Sequence, residues 1–346
     1  MIKKIIIFSV FIFKIVIGTF AAESHVLEFK ITGGGTNLSS TSKRAMESNT
    51  VKLLTMMSDA QANGSKSLNF QGINIGEEAK NTIIQMWKYQ PLRVWADDDV
   101  PPLISENLLN IYAVKSYQVR NIPVRLFPKE TPGKDKYSEV AINYSASGAI
   151  VDFNITIGRN QYDRLVREAK TVQDLENRKM LAYWMDQLKM AYESKDLRYL
   201  NSLFDNDAMI ITGVRTFKRT GSEVKFRNTA TFDYYVKNKK QYMSSLEKVF
   251  AKNKTISVDF TEQEYGCDET ATVTDRNGDE MPRYYMVWCT QDWRNMNGNV
   301  TTYHDTGRLF VLWDFKNPEK PTILVRAWTH PDDPKQFSRD DFILNE

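Results

Sequence analysis

Two cysteines, two runs of carboxylates and three histidines are the residues of this 346-residue chain whose types and spacing could do chemistry. Cys267 and Cys289 flank Asn277-Gly278, a dipeptide that favours a two-residue hairpin turn. A hairpin centred there brings the two cysteines opposite one another, or within one residue of it. Opposed α-carbons lie about 4.5 or 5.5 Å apart, a span that a disulfide tolerates. The pattern therefore predicts a Cys267–Cys289 disulfide contributing about 3 kcal/mol. The alternative is two buried thiols, with Pro282 bulging the second strand and shifting its register. Asp97-Asp98-Asp99 offers oxygen ligands, but calcium loops alternate their ligands around a glycine, so three consecutive carboxylates before Val100-Pro101-Pro102 read as a solvated loop. The run from Asp275 to Glu280 reads as the hairpin turn already named. Gly33-Gly34-Gly35 lacks the residues that complete a phosphate loop or a dinucleotide fingerprint. There is no HExxH, no metal-ligand cluster and no nucleophile elbow, so neither a metal nor a cofactor is expected. His25 and His330 read as structural or solvated, and His304 lies within a strand.

The first segment argues for export. Lys3 and Lys4 precede a mostly apolar run, Ile5 to Ile17, and Thr19-Phe20-Ala21 offers a small-x-small cleavage site. Lys14 interrupts the run and leaves it short of the roughly 18 to 20 residues that span a bilayer, so a signal peptide cut next to Ala22 or Glu23 is expected, with a periplasmic or extracellular destination. Export supplies the oxidising compartment that a disulfide requires. The formal charge of +3 belongs to Lys3, Lys4 and Lys14, so the chain without them is neutral. Neither nucleic acid nor, after cleavage, a membrane surface is then an expected partner.

The length suggests two domains, placed at 23–157 and 158–346 behind a signal peptide at 1–22. The first reads as α+β: a strand over 25–31, a helix over 41–62 stopped by Asn63-Gly64, a short strand over 68–75 and a helix over 77–89 ended by Pro91. A short helix over 103–114 and a strand over 117–127 with Pro123 at an edge or bulge follow. A hairpin then turns at 145–148, so the domain has two helices on a small antiparallel sheet.

In the second, a connecting helix over 158–170 leads to a long amphipathic helix capped by Thr171 with Asp174. Met180, Tyr183, Trp184, Gln187, Leu188, Ala191 and Tyr192 form its apolar stripe. A short helix with Leu197, Leu200, Leu203 and Phe204 and an apolar strand over 207–213 ending in a glycine turn come next. A hairpin over 214–235 and a helix opened by the Asn238–Gln241 capping box follow. The remainder reads as strands at 255–265, 267–274, 282–293, 301–315 and 321–330.

The motif built from Asp196, Leu200, Leu203, Phe204, Asp207, Ala208, Ile210 and Gly213 resembles the opening of the NTF2-like superfamily, which includes ketosteroid isomerase and SnoaL-like proteins. The resemblance covers about half of the chain and implies a cone of helices wrapped by a curved antiparallel sheet around a cavity. It implies candidate cavity walls at Tyr183, Trp184, Trp288, Trp293, Trp313 and Trp328. It also implies an isomerase acid where this chain has Thr212, which argues against isomerase chemistry. A His/Asp dyad of the dehydratase kind would use His304 with Asp305 or Asp292, since a carboxylate can orient a histidine. Successive strand residues face opposite sides, which favours Asp292. Two functions therefore stand: an exported non-catalytic module that binds a small apolar ligand or a protein partner, with pairing through the sheet as one form of homodimer, or a cavity dehydratase or isomerase acting on a hydrophobic carbonyl compound.

Overall fold

Two six-stranded sheets share one buried helix. The computed structural model describes residues 28–32, 38–94, 103–111, 116–127, 136–220, 227–275, 278–298 and 300–342. The expected signal segment, His25, the triple glycine and Asp97-Asp98-Asp99 lie outside the described residues.

The N-terminal sheet contains β1 (Glu28–Thr32), β2 (Leu92–Val94), β3 (Leu103–Ile111), β4 (Ser116–Leu126), β5 (Lys136–Tyr144) and β6 (Ile150–Ile155), in the order β1-β3-β4-β5-β6 with β2 also paired to β4. It is mixed rather than antiparallel, because β1 runs parallel to β3. The segment expected as a helix over 103–114 is strand β3, since pairing to β1 and β4 overrides its local preference. The expected strand over 68–75 reduces to one bridge, Ile75 to Ile150. Pro123 sits in a central strand, just past a bulge between Val119 and Ile122 at which Asn121 takes φ 63°. Helices α1 (Ser40–Ala62) and α2 (Glu77–Trp87) cover one face, packing Met46, Leu53, Met57, Ile83 and Trp87 on Ile122, Ile142 and Phe153.

After α3 (Arg159–Arg167) comes the long helix α4 (Val172–Glu193), where the Thr171 hydroxyl accepts from the Asp174 amide as its cap. Its stripe packs as expected, with Trp184, Leu188 and Tyr192 in the core of the C-terminal sheet. The opposite side, however, is buried too: every residue from Met180 to Ser194 is buried. Met190 joins the N-terminal core. The charged residues of that side are met by partners from distant strands. Arg120 of β4 donates to Asp186 at 2.5 Å, and Lys189 donates to Glu193 at 3.0 Å and to Asp259 at 2.9 Å. Such partners offset the cost of burying a charge.

The C-terminal sheet is built from β7 (Phe204–Thr220), β8 (Arg227–Asn238), β9 (Thr255–Thr274), β10 (Glu280–Asn297), β11 (Val300–Asp314) and β12 (Thr322–Thr329), ordered β8-β7-β12-β11-β10-β9. One pair, β7 with β12, is parallel. Helices α5 (Leu197–Leu203) and α6 (Lys239–Lys252) pack with α4 on the inner face, and the Asn238–Gln241 capping box opens α6. Gly213 is not a turn: β7 runs on through it to Thr220.

The expected disulfide is overturned by register. Tyr285, not Cys289, stands opposite Cys267: the turn pairs Thr274 with Glu280, which displaces the expected register by two residues, and a shift between Pro282 and Tyr284 displaces it by two more. Four residues along a strand separate the cysteines by about 13 Å. Both are free thiols. Burial pushes the Cys289 thiol up to about 12, and burial also raises Cys267. Alkylation of the unreduced, denatured protein should add two labels by mass. In the native protein the half-buried Cys267 should react before Cys289, and an unlabelled, cross-linked peptide pair would contradict this register.

Candidate functional site

Odd-numbered residues of β10 and β11 turn inward, and beside α6 they line a cavity of about 560 Å³. Its aromatic and apolar walls include Tyr242, Leu246, Val249, Trp293 and Trp328, and its polar lining includes Gln291, Asn295, Asp305 and Arg326. That volume lies within the range of small-molecule sites. The Trp328 ring owes its place to two glycines: a Cβ at Gly307 would lie 2.3 Å from it, and one at Gly213 would lie 2.8 Å from it.

Arg326 is the unusual member of this wall. It is 4% exposed, donates from Nη2 to Gln291 Oε1 at 2.6 Å, and lies over the Tyr242 ring at 5.5 Å. Among the described residues its Nε has no hydrogen-bond partner, and neither has the Trp328 indole nitrogen. Burial opposes its charge, but nearby Tyr242, Tyr192 and Cys289 outweigh that and raise its pKa, so the guanidinium stays cationic. Lys237, Lys248 and Lys252 add positive charge around the cavity. Asp305 is the lining carboxylate. Burial pushes it above its ordinary range, against the Tyr303 hydroxyl that donates to it and the nearby Arg326 charge.

The expected dyad forms, but on the wrong side. His304 Nε2 lies 2.8 Å from Asp292 Oδ2, and Thr306 Oγ1 donates to the same oxygen at 3.1 Å. These are even-numbered residues, and neither His304 nor Asp292 lines the cavity; the His304 side chain is 48% exposed. Burial works against the Asp292 charge, yet hydrogen bonds from His304, Arg294 and Thr306 hold its carboxyl below the ordinary range.

Of the six expected aromatic walls, only Trp293 and Trp328 line this cavity. Trp288 stands on the outer face, its indole donating to the Phe337 carbonyl at 2.9 Å and its ring packed on Phe310. Trp313 is core, 6.2 Å from Trp184 between centroids. Tyr183 and Trp184 line a different cleft, of about 260 Å³, beside Asp152 of β6 and Tyr199 of α5. Thr212 does line the cavity and places no acid there, as expected. The residues missed were Arg326, Gln291 and Asp305 as a cavity residue in its own right. Their signal was available: Arg326 is two residues before Trp328, and Gln291 is two before Trp293, so each shares a strand face with an inward tryptophan.

No family model matches this sequence, and no curated protein matches it. Among solved structures, an NTF2-like protein of unknown function from Pseudomonas putida is similar at 10% identity and a TM-score of 0.28, covering 46% of this chain and 87% of that one. ActVI-ORFA from Streptomyces coelicolor is similar at 9% identity and a TM-score of 0.26, covering 44% of this chain and 96% of that one. The C-terminal sheet, ordered β8-β7-β12-β11-β10-β9 over α4, α5 and α6, is the helix-and-sheet arrangement that the sequence resemblance implies. Bd1075 of Bdellovibrio bacteriovorus is similar over 64% of this chain and 92% of that one, at 10% identity and a TM-score of 0.30. At such identities the likeness is one of fold alone. Any activity must be argued from the NTF2-like cavity itself.

Proposed function

We propose that the chain is an exported binding module whose NTF2-like cavity takes a small amphiphilic anion, with a carboxylate on Arg326 and an apolar body against Trp293, Trp328 and Tyr242. The observation that carries this reading is the buried, unpaired Nε of Arg326 in an aromatic-walled cavity. A buried cation without a carboxylate costs stability, and an anionic ligand would supply the missing partner. The absence of an acid at Thr212 and the outward turn of His304 and Asp292 favour binding over catalysis. Asp305 favours a second reading, a cavity enzyme in which this carboxyl carries a proton.

Calorimetry with 1-naphthoate, benzoate and decanoate against their neutral amides tests the proposal. The carboxylates should bind, and the amides should bind at least tenfold more weakly. Arg326→Gln should lower carboxylate affinity about 10- to 100-fold, the weight of about 2 kcal/mol for a hydrogen bond to a charged group. Equal binding of acids and amides would refute it.

A pH titration adds a sign. Because Asp305 holds its proton to higher pH than an ordinary carboxyl, lowering the pH through its raised pKa removes a negative charge beside the bound anion. Affinity for a carboxylate should therefore rise as pH falls, until the ligand itself is protonated. Asp305→Asn should flatten that rise. If the second reading holds, the same variant binds substrate but loses turnover.

A further inference from the structure

The cleft that takes Tyr183 and Trp184 away from the cone cavity has its own chemistry. Asp152 stands in its wall and accepts from the Tyr183 hydroxyl at 2.9 Å, from Asn154 Nδ2 at 2.9 Å, from the Phe153 amide at 2.8 Å and from the Gln187 side-chain amide. All four donors are uncharged. Three of them meet Oδ2, so Oδ1, with the Phe153 amide alone, keeps accepting capacity. Three buried carboxylates in the molecule are treated differently: Asp186 has Arg120, Glu193 has Lys189 and Asp314 has Arg283. Asp152 has no ion-pair partner among the described residues.

The surroundings deepen the contrast. The rings of Tyr183, Trp184 and Tyr199 line the cleft, with Tyr183 and Trp184 edge to face at 5.0 Å. Glu78 and Asp196 line it as well. Burial raises the Asp152 carboxyl above its ordinary range, and burial first, then Asp152, Glu78 and Asp196, raise the Tyr199 hydroxyl. The lining cations, Arg198 and Lys320, are exposed residues. An acid without a counter-ion, lined up with two further acidic residues among aromatic rings, is complementary to a cation that also carries an apolar surface.

We infer that this cleft, between α2, α4, α5 and β6, binds a small organic ammonium ion seated on Asp152 against Tyr183, Trp184 and Tyr199. The volume of about 260 Å³ suits an ammonium group with a few carbons rather than a drug-sized molecule. The site lies on residues separate from Arg326, and it selects the opposite charge. Its ligand therefore stands or falls independently of the anion assigned to the cone cavity.

Titration calorimetry of the full chain at fixed ionic strength tests it, with tetramethylammonium, choline and methylammonium as probes and 3,3-dimethylbutan-1-ol as the neutral isostere of choline. Saturable binding of the ammonium ions is expected, with the isostere at least tenfold weaker. A preference for choline or for methylammonium tells a quaternary ligand from a primary one. Asp152→Asn should weaken ammonium binding at least tenfold while the far-ultraviolet circular dichroism is unchanged. If that variant does not fold, the comparison of choline with its isostere still decides. Equal binding of the isostere, no saturable heat from any ammonium ion, or full affinity in a folded Asp152→Asn protein would overturn the assignment.

Discussion

Asp186→Ala is expected to destabilise the protein by about 3 to 5 kcal/mol, because it leaves a guanidinium buried without its counter-charge. Arg120 is 2% exposed, and its Nε and Nη2 have no hydrogen-bond partner among the described residues. It lies over the Tyr162 ring at 4.3 Å. Asp186 accepts from Arg120 at 2.5 Å and from the Ile157 amide at 2.8 Å, so one carboxylate ties α4 to β4 and to the turn that leaves β6. Burial pushes its carboxyl above the ordinary range, with the Arg120 charge opposing that shift. Urea denaturation measures the loss. The double variant Arg120→Met with Asp186→Leu should recover most of it, since well-packed apolar residues often replace a buried pair without cost. Comparable losses in the single and double variants would mean that packing, not the stranded charge, sets the effect.

Gly307→Ala is expected to cost about 3 kcal/mol, the upper end for overpacking a well-filled interior. The added methyl would sit 2.3 Å from the Trp328 ring, which is a rigid group and cannot flex aside as a long side chain would. Gly213 lies against the other side of the same ring, so movement in that direction is closed as well. The variant should therefore lose stability and cavity binding together, because Trp328 is a wall of the cavity. Gly278→Ala, at a hairpin turn with nothing within 4 Å of the added carbon, is the control: its φ of 89° makes it strained, yet it should leave ligand affinity untouched. A Gly307→Ala protein that binds as the wild type does would show that the ring can move.

Most elements could be read from local pattern. The caps at Thr171 and Asn238, the stripe of α4 and the hairpin of β5 and β6 all follow from periods of 3.6 and 2 and from side chains that satisfy helix-end amides. The misplaced elements have a common cause. Segment 103–111 has helical residues but joins β1 and β4, and the short strand expected over 68–75 finds no neighbour beyond one bridge. Sheet membership depends on distant partners, which local propensity does not see.

The site divides along the same line. Strand alternation was sufficient to put Arg326 on the face of Trp328 and His304 on the face opposite Asp305, because successive side chains on a strand must point to opposite sides. Alternation could not say which face was concave, nor that the inner face of β10 and β11 would stay open beside α6 while Trp313 was buried against Trp184. Register was likewise beyond local reading: the pairing at the turn and a shift near Pro282 each moved it by two residues, leaving Cys289 four residues from the partner of Cys267, and a bulge is decided by how two whole strands pack. Above all, the periodicity of α4 marked one face as apolar and left the other as a solvated surface. That second face is buried because Arg120 and Asp259, remote in sequence, supply partners for its polar groups, and only the assembled molecule brings them there.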